Sequence, residues 1–156
     1  QVPTTMWERW NSYTHKDGFN KGGMNSFNHY AYGAIGQFMY ERIAGIKPVK
    51  AGYKEIRIAP LPGGPLTSAQ ASYKSPYGEI SSAWNIENGE FELEAIVPPN
   101  TSAKVVIPAN TAKDLIVDEE IFSENANVKL LKKSENAFEL EVSPGTYVFK
   151  TKWKSK

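Results

Sequence analysis

Two residues near the start of the chain, Glu8 and His29, have side chains suited to acid–base chemistry. Glu8 stands between Trp7 and Trp10, with Arg9 following it directly. Aromatic neighbours exclude water from a carboxylate, and the faces of Trp rings also stack on sugar rings. A plainer interpretation fits the same residues, because Glu8 and Arg9 could form a surface ion pair beside two packing tryptophans. The residue types allow a catalytic carboxylate in a sugar site without requiring one.

The second candidate is His29, one of two histidines in the chain. It lies near the beginning of an uncharged stretch, from Gly23 to Tyr40, in a chain of which 22% of the residues are charged. A single histidine on a helix is more often a hydrogen-bonded residue of a core or rim than a catalytic one. His29 is therefore a candidate only if a carboxylate lies close to it.

The uncharged stretch must position His29, and its pattern predicts a helix. Apolar or small residues recur at helical spacing, and a helix without charge on any face is expected to be buried on every face. Asn25 or Ser26 is a credible N-cap. Gly45 suits the left-handed position after a helix and Pro48 cannot continue one, so the helix is expected to end near Ala44. The sequence thus predicts one long buried helix whose polar N-terminal end lines a pocket.

The rest of the chain has the alternating pattern of β-strands. Glu87-Asn88-Gly89 is a strong hairpin signal between two such runs. We expect a mainly β fold, an antiparallel β-sandwich of the jelly-roll or Greek-key kind, preceded by one long N-terminal α-helix. The domain prediction is residues 1–47 for the helical part and residues 48–156 for the sandwich. The predicted strands are 53–59, 66–74, 79–86, 90–97, 103–107, 115–117, 128–132, 137–142 and 145–152.

The β region predicts a fold rather than chemistry. Glu90, Glu92 and Glu94 alternate with apolar residues, which places them on one solvated strand face. Trp84 is expected to fill core rather than bind a ligand. Two roles stay open for this region, a structural support and a carbohydrate-binding module, and the pattern favours the structural one.

Composition excludes several other classes of function. The net charge is +1 with scattered basic residues, so no nucleic-acid footprint is present, and no apolar run reaches the length of a membrane-spanning helix. Cysteine is absent, and no metal-ligand spacing or phosphate-binding glycine loop occurs. We therefore expect no metal and no cofactor. The compartment stays undetermined, because both cytoplasmic and exported proteins can lack cysteine.

Three motifs together resemble the C-terminal end of bacterial α-L-rhamnosidases of glycoside hydrolase family 78. They are Thr4-Thr5-Met6-Trp7-Glu8-Arg9-Trp10, Met24-Asn25-Ser26-Phe27-Asn28-His29-Tyr30-Ala31-Tyr32-Gly33, and Ala44-Gly45-Ile46. The strands that end at Pro144-Gly145-Thr146-Tyr147 are similar to that family's C-terminal sandwich. The first two motifs are specific as a pair, and the β portion is weak by itself.

The resemblance implies a fold and a set of roles. It implies that residues 1–47 are the end of an (α/α)6 catalytic barrel and that the enzyme hydrolyses terminal α-linked L-rhamnose with inversion, acting on a rhamnose-containing glycan or glycoside. It puts Glu8 at the carboxylate that acts on the attacking water, His29 at a histidine lining the rhamnose pocket, and Trp7 or Trp10 beside them. The family's general acid belongs to an earlier part of the barrel.

The resemblance also implies that residues 1–46 supply only a small part of the catalytic barrel. An (α/α)6 barrel needs a dozen helices, whereas residues 1–46 supply one and a fragment. An apolar helix beside a small sandwich would expose a large patch unless it packs on the sandwich, on another copy or on the remainder of a barrel. We expect the chain to be a C-terminal fragment of such an enzyme, and we expect it to be inactive by itself.

Overall fold

The computed structural model describes residues 5–109 and 111–153, so Thr4 of the first motif lies outside the described residues. It divides into two compact units, one ending at Phe38 and one beginning at Met39. Each unit is described by itself below. Among the described residues, no helix has both the length and the hydropathy needed to cross a membrane.

The first unit is held by short backbone pairings and edge-to-face aromatic contacts. A hairpin joins β1 (Tyr13–Thr14) and β2 (Gly18–Phe19). The ring of Phe19 packs edge-on against Tyr13 at 5.1 Å and against Phe27 at 5.5 Å between centroids. Trp7 meets Phe27 in the same way at 5.1 Å. These contacts form a small aromatic cluster rather than a layered core.

The predicted helix is wrong in its start, and its apolar residues are largely exposed within the described part of the chain. Residues 24–29 are not helical. The helical segment begins as a 3-10 turn, Tyr30–Gly33, continues as the short α1 (Ala34–Phe38), and ends as a π-helix, Met39–Ala44. No residue of α1 is buried, and Ile35 and Phe38 are more than half exposed. Neither predicted N-cap applies, because residues 24–29 pair with an earlier segment instead of entering the helix.

The end of this helical segment follows the prediction closely. Gly45 has φ +86°, and a Cβ at this position would lie 2.2 Å from the Pro60 nitrogen, so only glycine fits. The π-helix belongs to the second unit, and its last carbonyls accept hydrogen bonds from the sandwich of that unit. Trp84 Nε1 donates to the Ile43 carbonyl at 2.8 Å, and Ser82 Oγ donates to the Ala44 carbonyl at 2.6 Å. The helix end is therefore capped by side chains of the sandwich.

The second unit is a sandwich of a six-stranded and a five-stranded sheet, which confirms the predicted mainly β, predominantly antiparallel fold. Its strands are β3 (Ile46–Pro48), β4 (Glu55–Ile58), β5 (Ser68–Ser75), β6 (Gly78–Glu87), β7 (Glu90–Val97), β8 (Ser102–Ile107), β9 (Ile116–Val117), β10 (Glu120–Ile121), β11 (Val128–Lys133), β12 (Phe138–Val142) and β13 (Gly145–Lys152). One sheet has the order β10-β9-β13-β7-β6-β5 and the other β11-β12-β8-β4-β3. Strands β4 and β8 pair in parallel, and the remaining pairs are antiparallel.

The alternation of the strands gives this unit one continuous core. Along β7 and β13 every second side chain is buried, and these residues face those of β8 and β12 from the other sheet. The predicted hairpin between β6 and β7 is confirmed, with Asn88 at φ 51° and Gly89 at φ 76°. The largest fully buried side chains include Phe91, Phe138, Phe149, Ile56, Ile58, Ile80, Leu93 and Leu140.

Candidate active site

A pairing of two chain segments builds the candidate site in the first unit. The His29 amide donates to the Met6 carbonyl at 2.8 Å, and the Glu8 amide donates to the Ser26 carbonyl at 2.8 Å. The hydroxyl of Thr5 also donates to the Phe27 carbonyl. These bonds lay the first motif alongside the second. As a result, two candidates that are 21 residues apart in the sequence come together in space.

The Glu8 carboxylate lies between a backbone amide and the imidazole. Its Oε2 accepts a hydrogen bond from the Ser26 amide at 2.9 Å. Its Oε1 lies 3.8 Å from His29 Nε2, an ion pair whenever the imidazole is protonated. The Glu8 side chain is 16% exposed and the His29 side chain 28% exposed, so both are largely shielded but still reach solvent. An anchored carboxylate that reaches solvent can accept a proton from a bound water.

The two tryptophans named with Glu8 have different surroundings. Trp7 is half-buried against Phe27, so its ring packs beside the paired segments. Trp10 is fully exposed. The ring of Tyr30 stacks on His29 with the centroids 5.6 Å apart and an interplanar angle of 11°. Sequence reasoning did not single out Tyr30, although its position next to His29 was the available signal.

Asn25 and Ser26 have roles that the cap prediction missed. The Asn25 side-chain amide donates to the Asn20 carbonyl at 2.9 Å and to the Ser12 carbonyl at 3.3 Å. Ser26 Oγ accepts from the Asn28 amide at 3.2 Å, a local turn rather than a helix cap. Both residues therefore stabilise the loop that carries the Ser26 amide to Glu8.

A second carboxylate is needed for most glycosidase chemistry, and residues 5–38 supply one other acid, Asp17. Its Oδ2 accepts from the Thr14 hydroxyl at 3.2 Å, and its amide donates to the same hydroxyl at 2.9 Å. Asp17 thus completes the hairpin turn between β1 and β2. Among the described residues of this unit, Glu8 is therefore the one carboxylate placed beside His29.

The sandwich carries a polar groove on the outer face of its six-stranded sheet, lined by Ser68, Gln70, Ala83, Asn85, Glu92 and Glu94. Glu90, Glu92 and Glu94 of β7 lie on this face, with Glu90 and Glu94 exposed and Glu92 half-buried. Glu92 accepts a hydrogen bond from Lys150 at 2.8 Å, which raises the pKa of that ammonium. Trp84, also next to the groove, is 2% exposed and packs in the core. It therefore offers no ring face for sugar stacking.

Two family models match consecutive parts of the chain. Residues 2–43 match the bacterial alpha-L-rhamnosidase 6 hairpin glycosidase domain. Residues 45–122 match the bacterial alpha-L-rhamnosidase C-terminal domain. Glu8 and His29 fall in the first match, and the sandwich strands up to β10 fall in the second.

Similar proteins agree with the family models. An alpha-L-rhamnosidase of Formosa agariphila is 53% identical over 153 residues, 98% of this chain and 16% of that protein. The crystal structure of Streptomyces avermitilis alpha-L-rhamnosidase, complexed with L-rhamnose, superposes with a TM-score of 0.79 at 41% identity. The superposed region is 96% of this chain and 14% of the Streptomyces chain. An alpha-L-rhamnosidase structure from Dictyoglumus thermophilum gives a TM-score of 0.75 at 28% identity, covering 96% of this chain and 16% of that one.

The sandwich and the match to the glycosidase domain together place the chain in a class of glycoside hydrolases. More narrowly, the chain belongs to the bacterial α-L-rhamnosidase family, of which it represents the C-terminal portion. It spans about one sixth of the length of the relatives named above. The resemblance found in the sequence motifs is confirmed.

Proposed function

We propose that the chain is the C-terminal part of an α-L-rhamnosidase that releases terminal α-linked L-rhamnose from a glycan or glycoside. One observation carries this proposal. The region that matches the glycosidase domain holds Glu8 in place by a backbone amide and sets His29 Nε2 3.8 Å from its carboxylate. The named rhamnosidases of Formosa and Streptomyces support the choice of sugar.

The proposed mechanism is inversion. Glu8 removes a proton from a water, whose oxygen bonds to the anomeric carbon while the bond to the leaving oxygen breaks. A general acid elsewhere in the polypeptide protonates that oxygen. In inverting glycosidases the two carboxyl groups stand roughly 6.5–9.5 Å apart, which leaves room for the water. His29 donates or accepts hydrogen bonds to sugar hydroxyls, and Trp7 closes one side of the pocket.

The same proposal assigns the parts of the chain. Residues 1–47 belong to the end of an (α/α)6 barrel, and residues 48–156 form a structural sandwich domain, with β3 at the junction. The apolar side chains exposed on α1, Ile35 and Phe38, then pack on earlier helices of the barrel. Burial of Trp84 supports a structural role for the sandwich over a carbohydrate-binding module. Without the general acid, the 156 residues by themselves are inactive.

The test uses the full-length enzyme and an aryl α-L-rhamnoside, followed by proton NMR. The first rhamnose signal is expected from the β anomer, which then mutarotates. Glu8→Gln is expected to lower kcat by about a thousandfold, since a positioned general base contributes on the order of 10²–10⁴-fold. Glu94→Gln removes a carboxylate on the sandwich surface and serves as the matched control, with kcat unchanged.

Three results would contradict the proposal. An α anomer as the first product would contradict inversion. Full activity of the Glu8→Gln enzyme would contradict its role as base. Rhamnose release by the 156-residue chain, lost on Glu8→Gln, would show that one carboxylate suffices and that no upstream general acid is needed.

A further inference from the structure

The orientation of the Ser26 amide decides where the Glu8 carboxylate sits. The Ser26 N–H points at Glu8 Oε2 from 2.9 Å, and the Ser26 carbonyl accepts from the Glu8 amide at 2.8 Å. Both ends of Glu8 are therefore held by one residue. The direction of the Ser26 N–H is that of the peptide plane joining it to Asn25, because that plane is rigid. Hydrogen bonds that hold Asn25 in place therefore limit how far the Ser26 N–H can turn away from the carboxylate.

The side chain of Asn25 is tied to two other parts of the loop. Its Nδ2 donates to the carbonyls of Asn20 and Ser12, at 2.9 and 3.3 Å. The Asn20 amide donates to the same Ser12 carbonyl at 2.9 Å. Ser12 is fully buried, so two of these three hydrogen bonds end on a carbonyl in a residue that is shielded from solvent. Two carbonyl partners require the NH2 end of the amide, so a carboxylate of equal shape could not replace it.

We infer that Asn25 is a positioning residue for the proposed general base, acting on Glu8 through the Ser26 amide. This inference rests on the proposed function and adds to it a residue that does not touch the sugar. A base displaced by a fraction of an ångström still lets the substrate bind through other contacts. It transfers the proton less well, because proton transfer depends on hydrogen-bond geometry. The defect should therefore fall on kcat and spare KM.

The experiment measures kcat and KM of the full-length enzyme with Asn25→Ala and Asn25→Asp. Each is expected to lower kcat about tenfold with KM changed less than about twofold. Asn25→Asp keeps the shape and loses both donated hydrogen bonds. The matched control is Asn11→Ala, an exposed asparagine in the turn before β1, with kcat within about twofold of the parent. Thermal midpoints of all variants show whether the fold is retained.

A double-variant comparison separates positioning from a general structural role. Glu8→Asp shortens the side chain by one methylene, which takes its carboxylate out of reach of the Ser26 amide while leaving a weak base. In the E8D background, Asn25→Ala is then expected to cost less than about twofold, since the path it acts through is already broken. The same tenfold loss in both backgrounds would overturn the inference, and so would unchanged kcat in the Asn25 single variants.

Amide exchange in the 156-residue chain tests the same contact without any activity. Release of the Ser26 N–H from Glu8 is expected to raise its exchange rate about tenfold in Asn25→Ala and in Glu8→Ala, while amides of β7 keep theirs. An unchanged Ser26 rate in Asn25→Ala would overturn the positioning role. Absence of rhamnosidase activity in the parent enzyme would instead contradict the proposed function, and the exchange result would still decide whether Asn25 orients this amide.

Discussion

In the unit that begins at Met39, large apolar side chains from two sheets fill one core, whereas in the unit that ends at Phe38 large aromatic side chains face solvent. Phe91, Phe138 and Phe149 are at most 1% exposed, but Phe19 is 69% and Tyr30 90% exposed. The candidate chemistry lies in the poorly buried unit. The sandwich is therefore held by its own hydrophobic core, whereas the segments around Glu8 and His29 are held mainly by local hydrogen bonds and a few aromatic contacts.

The largest expected effect is that of replacing a phenylalanine by alanine in the sandwich, compared with the same replacement in the first unit. Phe91→Ala in β7 is expected to lower the free energy of unfolding by about 4 kcal/mol, because it removes a buried ring and leaves a cavity. Phe19→Ala, in the first unit, is expected to cost less than about 1 kcal/mol. Denaturant unfolding followed by circular dichroism measures both. Equal losses of unfolding free energy in the two variants would contradict the difference in packing between the two units.

The next effect concerns the position just after the helical segment. Gly45→Ala is expected to cost about 3 kcal/mol, since φ is +86° and the added Cβ would overlap the backbone of Ala59 and Pro60. Gly52→Ala is the matched control, with φ +67° and open space around the added carbon, and should cost about 1 kcal/mol. Thermal unfolding of the two variants distinguishes steric overlap from strain in φ alone.

The third effect separates function from stability. In the full-length enzyme, His29→Ala is expected to lower kcat/KM about a hundredfold through lost hydrogen bonds to the sugar, with little change in thermal midpoint. His15→Ala, in the exposed turn of the first hairpin, should leave kcat/KM unchanged. A His29 variant that unfolds early but keeps its kcat/KM would assign the residue to the framework instead of the pocket.

The smallest effect belongs to the sandwich. Tyr147 is buried and donates its hydroxyl to the Ser143 carbonyl at 2.9 Å, so Tyr147→Phe is expected to cost about 1 kcal/mol at neutral pH. Burial, with a smaller contribution from Asp118, raises the pKa of this phenol above 10.0, its ordinary value. The stabilisation it provides is complete below pH 10 and is lost as the pH rises through the folded-state pKa. The Tyr147→Phe variant should lack this loss of stability at alkaline pH, which unfolding measured as a function of pH would show.

Prediction from sequence succeeded where a pattern repeats within one element. The long strands of the sandwich were predicted because apolar and polar residues alternate over five or more positions, as in Glu90–Val97. Four short strands were missed: Tyr13–Thr14, Gly18–Phe19, Ile46–Pro48 and Glu120–Ile121. Strands of two or three residues contain too few residues to show a period. The helix start was wrong because residues 24–29 are recruited by a segment about twenty positions earlier, which no local pattern encodes.

The candidate site was predictable only as a pair of motifs. The resemblance selected Glu8 and His29, and the structure places them close together, while their catalytic roles stay a proposal. Nothing in the spacing could reveal that the Ser26 amide anchors the carboxylate, because that contact depends on how two loops meet. Asn25 illustrates the same limit, since the residue type that suits a helix cap also suits the hydrogen-bonded triangle it forms.

The capture of the Ile43 and Ala44 carbonyls by Trp84 and Ser82 has a consequence for biosynthesis. The acceptors leave the ribosome about forty residues before their donors. At synthesis rates of roughly 5–20 residues per second, the helix end waits about 2 to 8 s for its partners. Until then the two carbonyls lack the donors that cap them in the folded chain, so the end of the helical segment completes its hydrogen bonds only when β6 is in place.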